Sequence, residues 1–422
     1  MALEPAVKNA IIGLGFVGKH LAAELLGKSE HNIVTAIDTY EPSGVFSMEK
    51  MQRWENDPRF IYLWKSAGDT ADLHLESYDN IIYTAAMADV PFALRNPIYT
   101  MNVNVMNTTA FMEMLRTRDY KGRVILLSSE AVYGKQPPEA MPLKEDVAIP
   151  NPDNIYAVSK LCQENIVRGY CQTYGIPYVI LRSATMFGEF SRLKQAVPIF
   201  VMQCLRGQPI TIEGDGSSTR DFNYVMNMVT AILTLLDRNE PEVWNQTYNI
   251  GSGSEIRILN IAQAIRKFIG PINPTGKQSE IEFKPWRAGE EGKRVSLSIE
   301  KAQKAFDYYP YVKVLDGIRN VIIWLAWYHE NFDPDRIEEL RKMWPSGQAF
   351  EQEHKIGQGD INPENIDDYP DKDLLTPEQL QRIEAVAKDP QPPTEEQKRR
   401  GKITEISEEA IADYQKTLQG GS

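Results

Sequence analysis

Up to about residue 190, short runs of aliphatic, β-branched and aromatic residues alternate with stretches whose apolar positions recur at helical spacing. That alternation predicts strands joined by crossover helices, and hence an α/β fold built on a doubly wound parallel sheet. The strand candidates are AVKNAIIG, NIVTAID, FIYLWKS, NIIYTAA, RVILLSS and YVILRSA, with VGKHLAAELL and NVNVMNTTAFMEML as helix candidates between them. Crossovers of this kind are right-handed, so the C-terminal ends of the strands fall on one edge, where ligands of such sheets sit.

From about Phe187 the pattern turns irregular, rich in Gly and Pro, with short strands around PITIEG, TYNIGS and IEFKP. This reads as a smaller second lobe. The helical stretches NMVTAILTLL and LDGIRNVIIWLAWYHENF are expected to return to the first lobe. The domain reading is a first domain over 1–186, joined by 217–250 and 311–332, a second lobe over 187–310 and a tail over 333–422. In the tail, Pro, Gly, Glu, Asp and Gln displace apolar clusters, which predicts a poorly anchored, partly disordered segment. Two short helices are expected there, one opening at Thr376 with Pro377 in its first position and the other near Ser407.

A chain of 422 residues with 42% hydrophobic and 25% charged residues has the make-up of a globular protein with a large core. The net charge of −12 disfavours a nucleic-acid partner. From Asp333 onward there are 21 acidic and 12 basic residues, so the acidity belongs mainly to the tail. Cys162, Cys171 and Cys204 form no CxxC pair, and the five histidines form no HExxH, so neither a disulfide framework nor a metal site is expected. Lys8, Lys19, His20 and Glu24 interrupt the apolar run near the N-terminus, and no small-residue cleavage site follows. Neither a signal peptide nor a membrane span is expected, and the protein is assigned to the cytoplasm.

Candidate chemistry sharpens the picture at two places. Gly13, Gly15 and Gly18 form GxGxxG between a predicted strand and a predicted helix, and Asp38 closes the apolar run IVTAID 20 residues after Gly18. In that context the glycines let backbone approach a diphosphate at a helix N-terminus, while the carboxylate accepts from an adenosine ribose. Asp38 would repel a 2′-phosphate and no Arg or Lys follows at once, so NAD is favoured over NADP. The sheet is thus Rossmann-type. The second place is NIYAVSK, where Tyr156 and Lys160 stand one helical turn apart and share a face. A phenol titrates near 10, and an ammonium beside it would bring it toward neutrality. Ser129, in SSEAVYG directly after RVILL, adds a hydroxyl at a strand C-terminus and completes a Ser/Tyr/Lys set.

With these motifs the chain resembles the extended short-chain dehydrogenase/reductase superfamily, in its nucleotide-sugar epimerase and dehydratase branch. The resemblance runs from about Lys8 to Trp327. It includes Gly68 with Asp69, Ala85 with Ala86, NPIYTMNVNVMNT with Asn104, YAVSKLCQE, EGDGSSTRDFNYV, YNIGSG and WRAGE. It implies that Tyr156 is the acid/base, that Lys160 binds the nicotinamide ribose and lowers the tyrosine pKa, and that Ser129 binds the reacting hydroxyl. It implies NAD contacts from Gly13, Gly15, Phe16, Val17, Gly18, Asp38, Asp69, Thr70, Ala85, Ala86, Asn104, Ser128, Tyr156 and Lys160. Contacts to the nucleotide sugar are implied for Met87, Ser129, Tyr156, Thr185, Gln195, Arg220 and Arg287, the two arginines holding the diphosphate through their forked donors. A homodimer, paired through the YxxxK helix and its neighbour, is implied as well.

Three positions depart from the branch's pattern. Ile12 stands where the first loop glycine is usual, Thr185 replaces an asparagine, and Glu130 is followed by Ala131 where dehydratases carry a second acid. Without that second carboxylate, proton abstraction at C5 lacks its usual base. The resemblance therefore points to an NAD-dependent epimerase acting at C4 of a nucleotide-diphosphate hexose. The alternatives are a 4,6-dehydratase with Glu130 as a catalytic acid, another sugar-nucleotide modifying member, and a binding or scaffold homologue acting through its acidic tail.

Overall fold

A computed structural model describes residues 6–39, 51, 54, 56–270, 278–286 and 291–328. Seven strands form one parallel sheet: β1 (Val7–Ile12), β2 (Asn32–Asp38), β3 (Phe60–Trp64), β4 (Asn80–Tyr83), β5 (Arg123–Ser129), β6 (Tyr178–Ser183) and β7 (Gln246–Ile250). Their spatial order is β7, β6, β5, β4, β1, β2, β3. The reversal between β1 and β4 is the switch point at which ligands of doubly wound sheets sit.

Why these segments pair is visible in their burial. A parallel sheet is covered on both faces, so its central strands are buried along their length and largely apolar; every residue of β4 and β6 is buried, Asn80 and Arg182 included. Neighbouring residues divide between two cores. Ile11, Val34, Ile82, Ile125 and Val179 face one, whereas Ala10, Ile12, Ile81, Val124 and Ile180 face the other, as the two-residue period requires. At the edge, β3 leaves Ile61 and Trp64 exposed.

The helices α1 (Phe16–Lys28) and α5 (Val225–Leu236) pack together within the first of these cores, while α2 (Asn107–Thr117) and α3 (Ile155–Tyr174) pack together within the second. α3 starts where the Asn154 side chain accepts from Ala157 N at 3.0 Å, and it stops at Gly175 in the left-handed region with φ 69°. Its buried stripe is Ala157, Ser159, Lys160, Gln163, Glu164, Val167 and Cys171. Lys, Gln and Glu inside a core need internal partners, and those partners build the site described below.

The remaining helices α4 (Ala196–Leu205), α6 (Ile258–Ile269) and α7 (Val314–Tyr328) pack on one another beside a parallel pair, Ile210–Glu213 with Ile281–Lys284. Their buried residues belong to the same core as Ile11 and Val34. Among the described residues no helix is long and apolar enough to cross a membrane. The helices expected at Thr376 and Ser407 lie outside the described residues, as does Arg287.

Candidate active site

The GxGxxG turn leads from β1 into α1. Gly13 has φ +100°, and a Cβ on it would stand 2.5 Å from Ala85 N; one on Gly18 would stand 2.2 Å from Gly13 O. Both positions therefore exclude larger residues. A Cβ on Gly15 would meet nothing within 4 Å, so the space above the turn is open. α1 begins at Phe16 and Val17 with no side-chain cap and no acid in its first turn, leaving its N-terminal amides and dipole for an anion. Asp38, at the end of β2, accepts from Leu14 N at 2.5 Å and Thr39 N at 2.6 Å. Lys19, which sequence reasoning passed over, lies near Asp38; burial depresses its pKa and the Asp38 charge opposes that shift.

Just past the end of β4, Ala85 N is held by Ile12 O at 2.7 Å, which sets Ala85 and Ala86 at the mouth of the same edge. Buried Met87 is fixed by Asn104, whose Oδ1 accepts from Met87 N at 2.6 Å and whose Nδ2 donates to Met87 O at 3.2 Å and Ser159 Oγ at 2.8 Å. Asn104 lies in a wide π-helical turn, Asn102–Met106, and its bonds run inward to these partners. Asp69 is exposed and accepts from Ser66 N at 3.3 Å, while Thr70 N donates to Gly68 O.

Tyr156 and Lys160 lie on α3 as their spacing predicts. The half-buried Tyr156 phenol is hydrogen-bonded to Ser129; burial raises its pKa, while Ser129 and the Arg192 cation oppose the rise. Ser129 Oγ is itself placed by accepting from Ala131 N at 3.2 Å. Lys160, 2% exposed, donates to Leu127 O at 2.7 Å and to Gln163 Oε1 at 2.5 Å, and burial brings its pKa down to about 7. The cation that opposes the effect of burial on the phenol is Arg192, from the loop between Gly188 and Gln195. Arg192 is tethered to Asp89 Oδ2 at 3.3 Å and to Ala88 O.

Ser128 directly precedes Ser129 on β5. Its hydroxyl is turned inward and donates to Glu164 Oε1 at 2.6 Å, because adjacent residues of β5 face opposite sides of the sheet. Glu164, fully buried, is held as well by Arg182 through Nε at 3.0 Å and a terminal nitrogen at 2.8 Å. Gln163, Glu164 and Arg182 were missed in the sequence; the signal was an arginine inside the apolar run YVILRS and two polar residues one turn past Lys160.

Glu130 follows Ser129 and faces Thr185, whose Oγ1 donates to Glu130 Oε1 at 2.8 Å. Its other oxygen is buried without a hydrogen-bond partner. Burial raises its pKa to about 7, the Thr185 bond and the cations Arg220 and Lys293 working against that and Asp221 adding to it. Asp221, fully buried, is pushed up to about 6 while accepting from Ser252 N at 2.7 Å and Ser252 Oγ at 2.6 Å. The Arg220 guanidinium donates to Thr219 O at 2.7 Å and Lys293 O at 3.1 Å. Gln195, at the N-terminus of α4, keeps its amide oxygen buried without a hydrogen-bond partner. Among the described residues no group of three or more His, Cys, Asp or Glu is arranged to hold a metal.

The buried carboxyl of Glu130 makes stability depend on pH. A folded-state pKa raised to about 7 stabilises fully below the ordinary value of 4.5, and that contribution is lost as pH rises through about 7. Glu130→Gln keeps the neutral shape at every pH. In urea unfolding it is expected to match the parent near pH 5 and to exceed it at pH 8 by about 1–3 kcal/mol. A variant less stable than the parent at pH 8 overturns the buried, neutral-leaning carboxyl.

Comparison with known proteins adds an independent line. A family model described as the NAD dependent epimerase/dehydratase family matches residues 10–251. A putative UDP-glucose 4-epimerase of Methanocaldococcus jannaschii is 30% identical over 323 residues, covering 74% of this chain and 96% of the relative. An uncharacterized UDP-glucose epimerase of Bacillus subtilis, YtcB, is 29% identical over 318 residues, covering 74% and 95%. The crystal structure of a UDP-glucuronic acid 4-epimerase from Bacillus cereus, in complex with UDP-glucuronic acid and NAD, superposes with a TM-score of 0.68 at 26% identity, covering 76% of this chain and 99% of that one.

Proposed function

This chain belongs to the NAD dependent epimerase/dehydratase family, and from that premise we propose that it is an NAD-dependent nucleotide-sugar epimerase inverting C4 of a nucleotide-diphosphate hexose. When bound, NAD supplies the hydride acceptor and donor. The residues present fit it. The amide end of α1 and the open space over Gly15 suit a diphosphate, Asp38 suits a ribose diol, and Lys160 uses two of its three ammonium donors internally.

The chain's own groups carry the rest. Ser129 orients the C4 hydroxyl, and Tyr156 takes its proton through the phenol oxygen as the hydride leaves C4; the same phenol returns the proton once the 4-keto sugar has turned its other face. Arg192 and the Ser129 hydroxyl favour the phenolate against the effect of burial. Arg220, Arg287, Gln195, Thr185 and Met87 complete the reading as the nucleotide-sugar side of the site.

The observation that carries the epimerase reading is the hydrogen-bonded Ser129–Tyr156 pair beside buried Lys160, with a methyl group at Ala131 where elimination needs a second acid. One observation favours a 4,6-dehydratase instead: Glu130, half-protonated near neutrality, is suited to protonate a leaving hydroxyl. A homodimer is part of the proposal, supported by the exposed apolar side chains Leu94, Ile98 and Met106 on helical segments beside α3.

The test is to supply UDP-, GDP-, CDP- and dTDP-hexoses in heavy water and follow products by NMR and mass. A C4-inverted product of unchanged mass, without deuterium at C5, is expected. A product lighter by one water and carrying solvent deuterium overturns epimerisation in favour of the dehydratase. By light scattering the same preparation should have twice the chain mass of 48.0 kDa, and a monomer mass removes the dimer.

A further inference from the structure

Lys160 is anchored by a residue to which the reaction gives no role. Gln163 lies three residues further along α3, fully buried, and accepts from the Lys160 ammonium through Oε1 at 2.5 Å. Its Nε2 donates to Thr108 Oγ1 at 2.8 Å and to Ala85 O at 3.4 Å. The orientation of the amide follows from its partners, since an ammonium only donates and a main-chain carbonyl only accepts. Thr108 in turn donates to Asn104 O at 2.6 Å, and Asn104 holds Ser159 and Met87. One side chain thus ties the catalytic helix to α2, to the π-helical turn and to Ala85, against which Gly13 is packed.

We propose that Gln163 is a positioning residue that fixes the Lys160 ammonium, so that with Leu127 O it holds two of the three N–H groups and aims the third toward the cofactor ribose and Tyr156. This rests on the epimerase reading for what Lys160 does, but not for where it is held. The partner is neutral, and that matters in a dry interior. A hydrocarbon in its place would leave a buried ammonium with one internal acceptor, whereas a carboxylate would add a charge favouring protonation.

The other groups around Lys160 are accounted for. On its own helix are Tyr156, bonded to Ser129, and Glu164, the one charge among the described residues that acts on the ammonium. Glu164 is itself engaged by Arg182 of β6 and by Ser128 of β5, and the remaining contacts from β5 and the Ala85 loop are uncharged. Gln163 is therefore the position from which the ammonium is most directly tuned without disturbing the Glu164–Arg182 pair.

The experiment uses full-length protein with 13Cε-labelled lysine, the Lys160 signal being assigned by its loss in Lys160→Arg. The Lys160 midpoint is read by NMR titration, needing no substrate, and kcat is read across pH on whichever hexose the parent turns over. Gln163→Glu is expected to raise the midpoint by a unit or more and to move the corresponding limb of the pH profile upward with it. Gln163→Leu is expected to lower the midpoint and to reduce kcat about tenfold or more, as befits loss of a hydrogen bond to a charged group. Gln163→Asn, a shorter amide, should recover neither. Midpoints unchanged in both the Glu and Leu variants overturn the proposal. If the parent turns over no sugar nucleotide, the epimerase reading fails while the titration still decides the role of Gln163. Should Gln163→Leu fail to fold, the near-isosteric Glu variant decides it.

Discussion

Tyr156→Phe is expected to lower kcat by about a thousandfold or more while leaving NAD affinity within about twofold, because it removes one oxygen and its proton but hardly any surface. In the structure that oxygen hydrogen-bonds Ser129 and is felt by Arg192 and Glu130, and burial holds its pKa above the ordinary phenol value. The reactive phenolate is therefore scarce near pH 7 and grows as pH rises, so parental kcat should climb through neutrality and the residual rate of the Phe variant should not. Steady-state kinetics on the sugar nucleotide, with NAD binding by calorimetry, checks this. A Phe variant within tenfold of the parent shows that another group moves the proton.

Glu164→Ala should have the largest effect on stability. It leaves the Arg182 cation, 4% exposed, without its two carboxylate bonds and the Ser128 hydroxyl without its acceptor. Burial acts to lower the Arg182 pKa, but the Glu164 bonds and charge outweigh it and keep it above its usual value. Breaking one partner of a buried pair costs about 3–5 kcal/mol, whereas replacing both with apolar residues of similar size is often neutral. Urea unfolding should show the single loss, and Glu164→Met combined with Arg182→Met should restore most of it. A single variant within 1 kcal/mol of the parent would mean that water reaches the pair.

Much of this molecule was legible along the chain. The runs AII of β1 and YVIL of β6 are continuously apolar because a central parallel strand is covered on both faces, and that pattern needs no knowledge of the neighbours. Gly13 is required by a positive φ and by Ala85 close above it, and the turn is recognisable because the restriction is local to the backbone. Asn154 caps α3 and Gly175 ends it for the same local reason. Tyr156 and Lys160 share one helix as their spacing predicts, and Asp38 closes β2.

What the sequence left open is which partner each polar group takes. Alternation along β5 says that Ser128 and Ser129 face opposite ways, but only the packed sheet decides that Ser129 meets Tyr156 while Ser128 meets Glu164, 36 residues away. Likewise, the turn from Tyr156 to Lys160 predicts a shared face, yet the ammonium is held by Leu127 O and Gln163, and the cation acting on the phenol comes from Arg192 on a separate loop. Backbone shape and burial pattern are set within a few residues, so the sequence determines the sheet, the glycine turn and α3. The pairing of buried charges is set by the cost of leaving any of them unsatisfied, which depends on groups distant in the chain and brought together only by the tertiary fold.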